Sequence, residues 1–135
     1  MASQHEHKTQ WLHNRKLIGR LDREFPDWIV TVCFYTCLHA VDLLLVYDNV
    51  QGVASHDARN ATLRRVNRYQ QVWRHYRPLY ELSRRVRYMA AAAEWVPFNS
   101  INTDILQRYM YPIEKSVQTL TGVEAPLETI QLASV

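Results

Sequence analysis

Three groups of residues in this chain have the types and spacing to do chemistry. The first is His56, Arg59 and Asn60, in which the histidine and arginine lie one helical turn apart and point the same way. At the start of a helix such a group suits a phosphate, because the first N–H groups are free and the helix dipole is positive there. Capping and surface roles account for the same residues. The second is Arg68 and His75, seven apart and therefore on one helical face. An arginine that holds a phosphate and a histidine that moves a proton are the minimum parts of a metal-independent ribonuclease. Two turns, about 10 Å, separate them, so one shared phosphate requires long side chains or a second subunit. A solvated face with an aromatic-flanked histidine explains that pair more simply. The third is the segment LYELSRRVRY, residues 79–88, where Arg84, Arg87 and Tyr88 combine phosphate contact with a stacking ring. The same side chains are also ordinary helix-packing material.

The charge distribution joins these groups. Residues 57–87 hold nine basic side chains against two acidic ones, a net +7, whereas residues 1–56 and 88–135 carry −1 and −3. A positive field focused in this way calls for an anionic partner such as RNA, DNA, a nucleotide or an acidic protein face. Thirteen of the sixteen basic residues are arginine, which suits bidentate phosphate contact, although a GC-rich genome produces the same bias. Arg64 adds to the basic face between the first two groups.

Several function classes are excluded by what is missing. The three glycines, Gly19, Gly52 and Gly122, cannot build a phosphate-cradling loop, so nucleotide-hydrolase and dinucleotide signatures are absent and no cofactor is expected. No metal site is expected either: His5 and His7 fall in a polar amino-terminal stretch expected to be mobile, and Cys33 and Cys37 have no second pair. Those cysteines, four apart in an apolar run, read as buried free thiols poorly placed for a disulfide. The amino terminus lacks the apolar core of a signal peptide, which points to the cytoplasm. The run WIVTVCFYTCLHAVDLLLVY, residues 28–47, has the length of a membrane span, yet His39 and Asp42 lie inside it, and a carboxylate there costs about 2.5–3.5 kcal/mol. A core helix is the better explanation and no membrane partner is expected.

The elements that must position these groups are helices. With 135 residues, 47% of them hydrophobic and only three glycines and five prolines, the chain can bury one core and reads as all-α, a four- to five-helix up-and-down bundle. Apolar spacing predicts a first helix over about 7–25, and Pro26-Asp27 opens a second running to about Tyr47. That second helix carries one polar stripe, Asp27, Thr31, Tyr35, His39 and Asp42, which must meet water, a cleft or polar groups of another helix. His39 and Asp42 read as a buried polar pair satisfied by an arginine from the next two helices. After a loop over 48–55, with Ser55 or Asp57 as cap, a third helix is expected over 56–77, stopping or kinking at Pro78. A fourth covers about 79–93. Residues 95–100 form a loop, and a last helix runs from Asn102 or Thr103 to about Leu120, bent by Pro112. The domain is thus residues 1–120, followed by a tail over 121–135.

Three of these elements in order, the FYTCLHAVDLLL helix, the loop leading to SHDARN, and LYELSRRVRY before a last helix, resemble the HEPN superfamily over residues 11–120. These are small helical bundles of prokaryotic toxin and antiviral systems. The resemblance implies an RNA- or nucleotide-binding module of a defence or toxin–antitoxin system, paired as a homodimer, with a possible protein partner. Active HEPN ribonucleases carry an arginine followed by a polar residue and a histidine four to six residues on. Arg59-Asn60 matches the first half, but Arg64 stands where the histidine belongs; Arg68 and His75 have a fitting gap, but Tyr69 follows the arginine. The later helix has Ser83, Arg87 and Tyr88 and no histidine, which resembles the non-nuclease branch. Two alternatives stay beside the binding module: a metal-independent endoribonuclease using His56 or His75 with Arg59 or Arg68, and a structural subunit docking on an acidic protein.

Overall fold

The amino-terminal sequence Ser-Gln-His-Glu builds its own helix start. In the computed structural model, which describes residues 2–89, 91, 96–125 and 127–133, the Ser3 hydroxyl accepts from the Glu6 N–H at 3.1 Å while the Glu6 carboxylate accepts from the Ser3 N–H at 3.0 Å. Helix α1 therefore begins at once and spans Gln4–Ile18. Neither part of the expectation for this region holds: the histidines are not in a mobile tail, and the helix ends at Ile18, short of Phe25. His7 is buried on its inner face with Trp11, Asn14, Arg15 and Ile18.

Pro26 occupies the first turn of α2, Pro26–Tyr47, where its missing N–H costs nothing. This helix is long and apolar enough to cross a membrane, but most of it is buried inside the bundle, against α1 along its length and against later helices on the other side. Cys33 and Cys37 are free and buried there, and burial raises both thiols far above their usual range, so neither is a nucleophile. The polar stripe of α2 finds partners on three other helices. His39 meets His7 of α1, Asp42 meets an arginine of α3, and Tyr35 meets an arginine of α4.

Helix α3, His56–Arg65, is capped by Ser55, whose hydroxyl accepts from the Ala58 N–H at 3.1 Å. It does not run to Pro78 as expected. Val66 is extended, at φ −87° and ψ 122°, and a single 3₁₀ turn over Asn67–Tyr69 follows. Asp48, at the end of α2, holds that turn: it accepts from Arg68 at 2.9 and 3.1 Å and from the Tyr69 hydroxyl at 2.5 Å. Helix α4, Gln70–Tyr88, then passes straight through Pro78. The expected break at Pro78 was displaced because tertiary hydrogen bonds ten and nine residues earlier, from Arg68 and Tyr69 to Asp48, outcompete one missing backbone N–H.

The last helical stretch changes winding at Pro112. Residues Asn102–Met110 form a π-helix, and α5, Tyr111–Thr121, follows in α form with Pro112 in its first turn. Pro112 has no N–H to give the carbonyl four residues back, and the wider i−5 bond from Tyr111 to Leu106 takes over just before it. Gly122, at φ 69°, closes α5 in the left-handed conformation and donates to Gln118 at 2.8 Å. Beyond it the chain lies back on the bundle. Val123, Leu127, Ile130 and Leu132 pack on the core, the Ile130 N–H donates to the Tyr111 hydroxyl at 2.9 Å, and Arg15 donates to the Glu128 carbonyl. At Gly19 an added Cβ would come within 3.2 Å of the Gln131 carbonyl, so the glycine is what lets this segment sit down. Among the described residues there is no strand; the molecule is an all-helical bundle of five helices with one apolar core.

Candidate nucleic-acid interface

The arginine-rich stretch divides into arginines the fold uses for itself and arginines it leaves outside. Arg59 belongs to the first kind. Its Nε and Nη2 donate to the two carboxylate oxygens of Asp42 at 2.7 and 3.0 Å, and it is almost wholly buried. His56 lies at its other edge, with Nδ1 3.5 Å from Arg59 Nη1. Burial, then the charges of Arg59 and Arg87, lower the His56 pKa, so the ring is neutral at pH 7. Arg59 is therefore an internal ion-pair partner rather than a surface phosphate ligand. The grouping of His56 with Arg59 is real, while Asn60, the third residue of the group, lines the groove between α3 and α4.

Arg68 is likewise spent, on Asp48 and on the Leu120 carbonyl at 2.9 Å. It sits in the 3₁₀ turn whereas His75 sits on α4, with Nδ1 3.0 Å from the Gln71 carbonyl. The expectation that these two share one helical face is corrected because Arg68 lies in the 3₁₀ turn before α4, so α-helical spacing does not run unbroken from it to His75. His39 does not pair with Asp42. Its Nδ1 meets His7 Nδ1 at 3.1 Å, so one ring donates and the other accepts, and burial lowers both pKa values.

Arg87 projects from α4 into an aromatic cluster. Its Nη1 donates to the Tyr35 hydroxyl at 2.7 Å, its Nε donates to the Ser83 carbonyl at 3.2 Å, and its guanidinium lies 5.5 Å from the ring centres of Phe34, Tyr35 and Tyr88. Tyr76 and Tyr80 complete the cluster around Phe34. The Tyr76 hydroxyl, buried beside Arg59, makes no hydrogen bond of good geometry among the described residues.

The other arginines of α3 and α4 stay outside. Among the described residues Arg64, Arg65, Arg74, Arg84 and Arg85 are exposed and make no ion pair, while Arg77 makes a long, exposed contact with Glu81 at 3.4 Å. Two grooves flank them. One, of about 520 Å³ between α3 and α4, is lined by Asn60, Arg64, Trp73, Arg77 and Tyr80 together with the carboxylates Asp57 and Glu81. In its wall the Asn60 Oδ1 is buried and has no donor among the described residues. The other, of about 630 Å³ between the start of α2 and the end of α4, is lined by Trp28, Tyr35, Arg87, Tyr88, Met89 and Asp27. Tyr88 is 77% exposed and Trp28 58% exposed, unusual for rings of this size. Neither Trp28 nor Trp73 is among the binding residues that the sequence singles out. Among the described residues no group of three or more histidine, cysteine or acidic side chains is placed to hold a metal.

Compared with models of protein families, with curated proteins and with solved structures, the chain matches none of them.

Proposed function

We propose that this chain is an RNA- or nucleotide-binding module, HEPN-like in the order of its helices, that acts through the arginine face of α3 and α4. The observation that supports the reading is the five exposed arginines of α3 and α4 that make no ion pair among the described residues, Arg64, Arg65, Arg74, Arg84 and Arg85. Exposed guanidinium groups concentrated on two adjacent helices repel one another, and a polyanion relieves that repulsion by releasing its own counterions. The sequence resemblance is what suggests a defence or toxin–antitoxin setting and a homodimer.

Binding without cleavage is the favoured form of this reading. The ribonuclease alternative needs an arginine free to hold the scissile phosphate near a histidine, and both candidates, Arg59 and Arg68, spend their charge on Asp42 and Asp48. The test is RNA binding by the pure protein as a function of salt. Affinity should fall linearly with salt on logarithmic axes, and each of Arg64→Ala, Arg84→Ala and Arg85→Ala should reduce the slope by roughly 0.7–0.9. Absence of binding at low salt, or a slope that these changes leave untouched, defeats the proposal.

A further inference from the structure

Helix α4 carries a second pattern on its outer side. Trp73, Arg77, Tyr80, Arg84 and Tyr88 follow one another at steps of four, three, four and four, so they form one stripe in which aromatic and arginine side chains alternate. The face packed on the core is made by Val72, Tyr76, Leu79, Ser83 and Val86. Trp73, Arg77 and Tyr80 open into the α3–α4 groove and Tyr88 into the groove beside α2, so the stripe joins the two.

We infer that this stripe tracks a single-stranded nucleic acid, its bases stacked on Trp73, Tyr80 and Tyr88 and its phosphates held by Arg84 and by Arg64 across the groove. The inference rests on the polyanion-binding reading above and names its substrate class. By helix rise the three rings are about 10 and 12 Å apart. That is about three times the 3.4 Å rise of a stacked strand, so the rings suit a strand whose bases have come apart. A duplex offers phosphates but hides its base faces, and an acidic protein has no use for rings at this interval. Trp28 lines the same groove as Tyr88, and a base entering there meets both rings. Three carboxylates oppose binding: Glu81, which weakens Arg77 as a phosphate ligand, Asp57 in the same groove, and Asp27 in the groove beside α2.

The experiment compares a single-stranded oligonucleotide of about 12 residues, within the span such surfaces cover, with the duplex of the same sequence at matched salt. The single strand should bind more tightly and quench tryptophan fluorescence, and Trp73→Phe should remove part of that quench while keeping a ring. Tyr88→Ala, at a position 77% exposed, should weaken the single strand roughly 5- to 150-fold and leave the duplex unchanged. Tyr88→Phe should restore binding, and Glu81→Gln should tighten it. Equal affinity for the two forms, or an inert Tyr88→Ala, overturns the inference; if Arg84→Ala still weakens both forms, the polyanion face survives without it. Failure of both forms to bind at low salt overturns this inference and the polyanion-binding reading together.

Discussion

Asp42 and Arg59 stand seventeen residues apart, and each is what permits the burial of the other. A guanidinium at 5% and a carboxylate at 14% side-chain exposure have given up most of their water, and two hydrogen bonds at 2.7 and 3.0 Å replace it. Replacing either alone leaves a buried charge. Asp42→Ala should therefore destabilise the protein by about 3–5 kcal/mol, and the Asp42→Ala/Arg59→Ala double variant by clearly less than the sum of the two singles. Urea unfolding of the four proteins measures this; additive losses would mean that the pair is not coupled. The same reasoning separates the arginines by role. Arg59 and Arg68, each with a carboxylate at hand, hold the fold, while Arg64, Arg65, Arg74, Arg84 and Arg85 stay exposed.

Helix α4 decides what the arginines do together. It contains Pro78, which lacks the N–H that its turn requires and strains against the carbonyl four residues earlier, at a cost of about 3 kcal/mol in a helix interior. The rigid ring returns only about 0.4–1 kcal/mol by restricting the unfolded chain. The difference favours removal, so Pro78→Ala should raise stability by roughly 2 kcal/mol, seen as a higher thermal midpoint. A lower midpoint would mean that the ring packs in a way its half-buried position does not suggest. The proline also hides the aromatic–arginine stripe from a linear reading, because a helix divided at residue 78 places Trp73 and Tyr88 on different elements. In the continuous helix they lie on one side.

At the scale of the whole molecule, Glu114 ties the ends of the chain together. It is buried on α5, accepts from the Trp11 indole at 2.6 Å and from Arg15 at 3.3 and 3.4 Å, and Arg15 also holds the segment after α5 through the Glu128 carbonyl. Burial pushes its pKa up to about 7, against the opposing pull of Arg15 and of the Trp11 hydrogen bond. The folded protein thus keeps this proton to a higher pH than the unfolded chain does. Between about pH 4.5 and pH 7 the folded state binds more protons, so this group's contribution to stability is present at the acid end and lost as pH rises through that window. His7, His39 and His56, lowered chiefly by burial, act in the opposite sense. Comparison with Glu114→Gln, which keeps the acceptor for Trp11 but cannot ionise, isolates the glutamate: the wild-type protein should lose stability relative to the variant as pH rises. A difference independent of pH would place the Glu114 pKa at its ordinary value.

The sequence by itself determined that this chain is helical, where its long core helix lies, and which stripe of that helix needs polar partners. Those properties follow from periodicity, capping residues and proline at a first turn, all of them local. It also determined that positive charge is concentrated in residues 57–87, since that is a count. Tertiary structure alone decided which arginines are free. Arg59 and Arg68 are chemically the same as Arg64 and Arg84, and they differ only because Asp42 and Asp48 arrive beside them from α2. Tertiary structure also moved the break from Pro78 to Val66, since several hydrogen bonds from a distant helix outweigh one missing N–H. That shift is why the face to examine for a ligand is the unbroken length of α4 rather than the corner at His56.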